Sequence, residues 1–326
     1  MMIRRREWMA MVGAAMAAGC WPALGAAQAL DKSVRLVVAY GAGSATDTLA
    51  RFLGDYISKK SGQPAIVENR AGADGNIAAE AAIRASHDMY TLLVSGSSTH
   101  AANASIYKKL SFDPEADFTP ISNLANAPFI LLVNPQRIQQ RTLKEFLAWA
   151  HADGGRDLSF ASTSVGNRVA GERFRQVAKL KAVNIQYRAS GQAMTDLLGG
   201  QFDFYFCDVA TALPQIKAGK ALALAVSIRE RLAVLPDVPT LAESGFPDFD
   251  VASWIAMWSA VASTPPEISA RIATWVSEAL DSPEGRAFVL AKGLLPVEAG
   301  PTALAALQRR DTEVWGKIIR EAGMQQ

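Results

Sequence analysis

Cysteine is almost missing from this chain: two in 326 residues, at positions 20 and 207. That excludes a disulfide scaffold. Cys207 sits in the apolar run 202–209 and reads as a small buried hydrophobe rather than a nucleophile. Histidine is as scarce, with His87, His100 and His151 scattered, so no zinc cluster and no other metal site is expected. Charge of one sign is lacking too. The formal net charge of +2 includes Arg4, Arg5 and Arg6, and no basic stripe with interleaved aromatics argues for nucleic acid. Beyond the first 29 residues no apolar run approaches the ~20 residues that would cross a bilayer. What remains is a near-neutral, soluble chain whose partners should be small molecules or modest docking patches.

Residues 1–29 read as an export signal. Arg4–Arg6 is a basic start, Met9–Ala18 is an apolar stretch too short to span, and Ala27-Gln28-Ala29 offers a cleavage site before Leu30. The run Arg5-Arg6-Glu7-Trp8-Met9 also resembles a twin-arginine signal, so the Sec and Tat routes are both open. Cys20 after Ala17-Ala18-Gly19 is a weaker, lipoprotein-like alternative. Cleavage after Ala29 leaves about 300 residues for the periplasm, enough for one large unit or two lobes.

The organising stretch is residues 34–47. A β-branched run, Val34 to Val38, ends in Tyr40-Gly41-Ala42-Gly43-Ser44, and Asp47 stands at the head of an amphipathic helix. Glycine lets that turn be tight. The first N–H groups of a helix have no partner inside it, and the peptide dipoles leave that end partly positive. A carboxylate or phosphate oxygen is the natural guest, so Tyr40, Ala42, Gly43, Ser44, Thr46 and Asp47 are candidate ligand residues. A dinucleotide fingerprint would need glycine where Thr46 stands, although Glu68 could serve as its ribose-binding acid. Asp47 opposes a pyrophosphate and suits helix capping.

Strand and helix signals then alternate. Strands are predicted at 65–68, 90–94, 129–133, 158–161, 183–187, 202–206, 222–226 and 254–258, and helices at 77–85, 142–151, 169–180, near 194–198, 266–280 and 302–322. Thr142 and Glu145 make a capping box. This rhythm is that of a parallel-rich α/β fold, whose ligands sit at the carboxyl ends of strands. The loop 95–100 carries Ser97, Ser98 and His100 at such an end, and 162–168 repeats the opening design with Ser162, Thr163, Asn167 and Arg168. Two cradles of one kind, far apart in sequence, point to two facing lobes. Ser162-Thr163-Ser164-Val165-Gly166 has serine where a hydrolase nucleophile elbow needs glycine.

These residues resemble the tripartite tricarboxylate transporter receptors, the Bug-type periplasmic solute-binding proteins. The likeness runs through Arg35-Leu36-Val37-Val38 with Ala42-Gly43 and Thr46-Asp47; Val67-Glu68-Asn69-Arg70 to Gly75-Asn76-Ile77; Tyr90-Thr91-Leu92-Leu93; Tyr107-Lys108-Lys109-Leu110; Thr195 to Gln201; Leu213 to Lys220; and Leu235 to Thr240. The resemblance implies a type II-like, two-lobed periplasmic-binding-protein fold. Each lobe would be a mixed, mostly parallel sheet flanked by helices, with the ligand in the interlobe cleft. Lobe 1 would be 30–123 plus 253–326 and lobe 2 would be 124–252. It implies a monomeric receptor without enzymatic activity or cofactor, closing on a small carboxylate for delivery to a membrane permease. Carried over by position, its ligand residues include 40–47, 96–100, 162–168 and Asp208.

Several departures bear on the ligand. The family's paired glycines read Gly43-Ser44 here, its proline-histidine pair reads Asn167-Arg168, its proline-aspartate-glycine-tyrosine turn reads His87-Asp88-Met89-Tyr90, and Tyr187-Arg188 is followed by Ala189 where glycine is usual. Arg168 either forks onto a second carboxylate or faces solvent at a helix start. Asp208 either accepts from an ammonium or hydroxyl or caps a helix. A dicarboxylate, aromatic forms such as terephthalate included, is the first expectation. An amino acid or tricarboxylate is the alternative, and an exported nicotinamide-dependent or hydrolytic enzyme is more distant. Tyr40 is the expected apolar wall. Trp254 and Trp258 are expected in packing, and His100 is expected to find a structural partner in its own loop.

Overall fold

The computed structural model describes residues 30–325; the predicted export signal lies outside them. The first unit is β1 (Val34–Val38), α1 (Ala45–Ser61), β2 (Ala65–Asn69), α2 (Asn76–Ile83) and β3 (Tyr90–Gly96), after which come a π-turn (Ser98–Ala102) and the short α3 (Asn103–Ile106). The strand β4 (Phe118–Val133) leads to a second unit: α4 (Leu143–His151), β5 (Leu158–Ser162), α5 (Val165–Val177), β6 (Ala182–Gln186), α6 (Ser190–Leu198), β7 (Phe204–Asp208), α7 (Val209–Lys217) and β8 (Leu222–Val226). The chain ends with β9 (Ala252–Ala260), α8 (Pro266–Asp281), α9 (Pro283–Ala291) and α10 (Pro301–Glu321).

The nine strands described form one continuous sheet in the order β2-β1-β3-β9-β4-β7-β5-β6, with β8 also on β4. β1 pairs parallel with β2 and β3, and β5 pairs parallel with β6 and β7, so each half is a parallel core. The halves are joined by antiparallel β4 and β9. β4 pairs with β9 over Phe118–Pro128, then with β7 and β8 from Phe129 onward. The change of partner at 128/129 is where one lobe gives way to the other along this strand. Each half is covered on both faces by apolar helices, which is what buries runs such as Leu92-Leu93-Val94 and Phe204-Tyr205-Phe206 completely. α8 returns to pack on α1 in the first lobe, while α10 lies over the π-turn and β4 and also touches α5 of the second lobe.

Three readings of the sequence change. β4 is not the five residues 129–133 but sixteen, with Pro120 and Pro128 inside it. Its register against β9 slips between Pro120 and Ser122 and again between Asn123 and Ala125, bulges that let proline stay in the strand. α5 begins at Val165 rather than Val169, so Asn167 and Arg168 belong to its first turn, not to a loop. The loop predicted at 95–100 is instead the end of β3 followed by the π-turn. The capping box of Thr142 and Glu145 is present on α4, and Cys207 is a buried free thiol.

Candidate functional site

Because β1, β2 and β3 run parallel, as do β5, β6 and β7, each lobe gathers the starts of its following helices along one sheet edge. In the first lobe Ser44 caps α1: its Oγ accepts from Asp47 N–H at 3.1 Å. Asp47 is buried and reaches back, Oδ2 accepting from Gly43 N–H at 2.9 Å and from Arg51 Nε at 3.1 Å, Oδ1 from Asn69 Nδ2 at 2.9 Å. Asn69 also donates to Tyr40 O at 2.9 Å, so the turn is anchored at both ends. Burial pushes the Asp47 carboxyl up, but the Arg51, Gly43 and Asn69 hydrogen bonds and the Arg51 charge outweigh it and hold it below the usual carboxylate range. Asp47 therefore shapes the cradle. Gly43, at φ 82°, gives its N–H to Asp47, which leaves the first-turn N–H groups of Ala45 and Thr46 as the open donors.

The second lobe repeats the device. Ser164 caps α5, and Asn167 Oδ1 accepts from Thr163 N–H and Ser164 N–H, both at 3.0 Å. Thr163 Oγ1 joins a cluster with Tyr205 Oη at 3.1 Å, Ser190 Oγ at 3.2 Å and Asn167 Nδ2 at 2.9 Å. Ser162 is buried and occupied: its Oγ donates to Gln186 Oε1 at 2.9 Å and accepts from Asn184 Nδ2 at 2.8 Å. Burial raises the Tyr205 phenol above its ordinary value, so it is a neutral hydroxyl at any physiological pH.

A hydroxyl pair ties the end of β3 to β9. Ser97 Oγ lies 2.7 Å from Ser253 Oγ on β9. A Cβ built on Gly166 would stand 3.3 Å from Ser253 Cβ and 3.1 Å from Phe129 Cζ, so the start of α5 packs tightly against the strands that join the lobes. Ser98 is buried beside the Tyr40 phenol, which burial raises, the Ser98 hydroxyl lowers and the Asp74 carboxylate raises further. Across the opening, Gly43 and Ala45 share a cavity of about 440 Å³ with Val209 and Ala210 at the start of α7. Asp208 caps that helix, Oδ1 accepting from Thr211 N–H at 2.8 Å.

Two predicted residues stand out. His100 is buried and stacked on Trp258 with ring centroids 3.6 Å apart, its edge against Phe118, and neither ring nitrogen has a hydrogen-bond partner. Burial lowers its pKa to about 3, so it is a neutral core residue, and the partner expected in its own loop is instead the Trp258 ring of β9, which reaches it through the sheet. Arg168 is in no ion pair among the described residues, and its buried Nε has no hydrogen-bond partner. Trp254 and Trp258 donate to Asp311 at 2.7 Å and Gln308 at 3.2 Å, which places both under α10 as packing.

Sequence reading missed Asn69, Ser190, Tyr205 and Ser253. Ser190 could have been found, since it follows the carboxyl end of a parallel strand; Ser253 could not, because it arrives from β9. A larger cavity of about 850 Å³ lies elsewhere, among Asn126, Asp250, Trp254 and α10. None of the predicted ligand residues lines it, and its arginines are engaged, Arg310 with Asp311 and Arg229 with Asp250. Among the described residues no group of three or more metal-ligating side chains occurs, and no helix is long and apolar enough to cross a membrane.

Residues 49–324 match the family model described as the tripartite tricarboxylate transporter family receptor. The chain belongs to that family. BugT of Bordetella pertussis is 32% identical over 296 residues, spanning 90% of each chain. Among solved structures, Rhodopseudomonas palustris Rpa4515 with adipate is 27% identical with a TM-score of 0.79, over 93% of this chain and 99% of that one. MatC from Rhodopseudomonas palustris with bound malate is 30% identical with a TM-score of 0.75, over 89% and 99%. Tripartite tricarboxylate transporter receptors are periplasmic solute-binding proteins of the two-lobed fold, not enzymes, and the expectations of fold and receptor class drawn from the sequence hold.

Proposed function

We propose that this receptor captures a small dicarboxylate between its lobes and delivers it to a permease of the tripartite tricarboxylate type. The observation that carries this is the repeated helix start: Ser44 with Asp47 in one lobe and Ser164 with Asn167 in the other hold two turns so that first-turn N–H groups stay open. One acid group fits the α1 start, where Ala42 to Thr46 lie. Arg168, which has no acidic partner of its own, suits the second acid. That Rpa4515 is solved with adipate and MatC with malate, both diacids, supports the same class of ligand. The protein works as a monomer in the periplasm after removal of the export signal, and closure draws on contacts made only when both lobes touch the solute.

A thermal-shift panel of mono-, di- and tricarboxylates and amino acids tests this. A ligand at about 100 times its Kd adds roughly 2.7 kcal/mol of stability. Arg168→Ala is expected to weaken a diacid at least tenfold more than its monoacid analogue. Equal losses remove Arg168 from the site, and no shift with any carboxylate overturns capture. Best stabilisation by an amino acid would move the assignment to Asp208, whose Oδ2 is not used in capping α7.

A further inference from the structure

The cavity beside the first cradle has a composition that the anion cradle does not explain. Val209, Leu213 and Pro214 of the second lobe face Ala45 and Leu290 of the first, and no carboxylate lines the space. Its one charged group, Lys292, lies with Nζ 5.4 Å from the ring centre of Phe288. α9 is fixed to the first lobe by Phe52 stacking on Phe288 at 4.5 Å, so Leu290 moves with α1 and its cradle. At the rim, Val234 and Leu290 are 46% and 48% exposed, among the few large apolar side chains left uncovered. They come from opposite lobes. The backbone of Gly293 already meets Val209, where a Cβ would lie 3.0 Å from Val209 Cγ1, so the two lobes touch at one wall of the cavity.

We propose that this cavity receives the hydrocarbon body of the solute, and that the preferred ligand is a carboxylate with an extended alkyl or aromatic portion rather than a short hydroxylated acid. The inference rests on the carboxylate-capture reading above and adds the chemical class of the ligand. An acid group held at Ala45 and Thr46 N–H directs the rest of the molecule past Gly43 into a space of about 440 Å³, within the ~300–1,000 Å³ of small-molecule sites. The polar side chains of the lining are Lys292 and Thr48, whose Oγ1 donates to Ala45 O; against Val209, Leu213 and Pro214 a hydroxyl would find no side-chain donor or acceptor. Each methylene removed from water adds about fourfold to affinity. The same occupant bridges both lobes, so burying it also covers Val234 and Leu290 and favours the closed form.

Titration calorimetry on the mature protein with malate, succinate, adipate and suberate tests this. Adipate or suberate is expected to bind at least tenfold tighter than succinate or malate. Ala210→Phe, which fills the space from an exposed position on α7, is expected to cost the long acids at least fivefold more than the short ones. Leu290→Ser, at the half-exposed rim where folding is not at stake, is expected to weaken suberate at least threefold and succinate less. Equal or tighter binding of malate and succinate, or equal losses across the series, overturns the hydrocarbon subsite while leaving carboxylate capture standing. Absence of heat with every acid overturns capture and this inference together.

Discussion

Asp47 and Asn167 hold the same position in two helices 120 residues apart in the chain: each is the third residue of its helix and each accepts a backbone N–H from the turn before it, at 2.9 Å from Gly43 and at 3.0 Å from Thr163 and Ser164. In both, the capping serine three residues earlier accepts the N–H of that same third residue. The turn is thus held by the helix it precedes, and the remaining N–H groups of the helix start have no partner within the helix.

Asp47→Ala should therefore do more than delete a charge. It removes the acceptor of Gly43 N–H and one of the two acceptors of Asn69 Nδ2 in a part-buried setting, at an expected cost of about 1–3 kcal/mol by urea denaturation. Because the carboxyl is held below its usual range, its contribution is present above the unfolded-state pKa and is lost as pH falls through the folded one. Asp47→Asn should recover most of the loss and flatten that acid limb. A loss under about 0.5 kcal/mol in Asp47→Ala would mean the turn holds itself.

His100 gives the protein an acid sensitivity. Its pKa is lowered from 6.5 to about 3 by burial, so its contribution is complete above pH 6.5 and drains away as pH falls toward 3, by an amount on the order of 5 kcal/mol at the limit. The groups packed on the ring, Trp258 and Phe118, carry no charge that could offset this. His100→Phe keeps a ring over Trp258 and should make stability fall less steeply between pH 6.5 and 4. Parallel curves for the two proteins would place the acid response elsewhere.

Gly96 and Gly41 make a matched pair. A Cβ on Gly96 would run into the backbone carbonyl of Trp254, which a paired strand cannot move aside, whereas one on Gly41 meets nothing within 4 Å. Gly96→Ala is expected to cost about 2–3 kcal/mol and to shift the neighbouring Ser97 off Ser253, weakening ligand binding as well. Gly41→Ala should stay within ~0.5 kcal/mol of the parent. Thermal melts of the two variants with and without ligand decide it.

Local chemistry settled a good deal here. The β-branched runs, the capping serines, the alanine-rich helices and the terminal helix are written in short windows of sequence, because propensity and amphipathic period act over a few residues. The tight turn from Gly41 to Ser44 ahead of a helix was legible on those grounds, and so was its repeat at Thr163 and Ser164. The start of α5 was misplaced because the polar run Ser162 to Arg168 looks like a loop until the Ser164–Asn167 box is seen to cap a helix.

Tertiary structure decided the rest. The first eleven residues of β4, with Pro120, Asn123, Asn126 and Pro128, carry no strand signal of their own; they are a strand because β9, more than a hundred residues later, supplies the other half of their hydrogen bonds. His100 became a core ring only because Trp258 arrives from that same strand, and Ser253 meets Ser97 and Gly166 for the same reason. Pairing between distant strands is not encoded in any one window. The sequence alone told that a serine-capped helix start follows a strand and that the device occurs twice; only the return of β9 between the halves determined which side chains stand beside it.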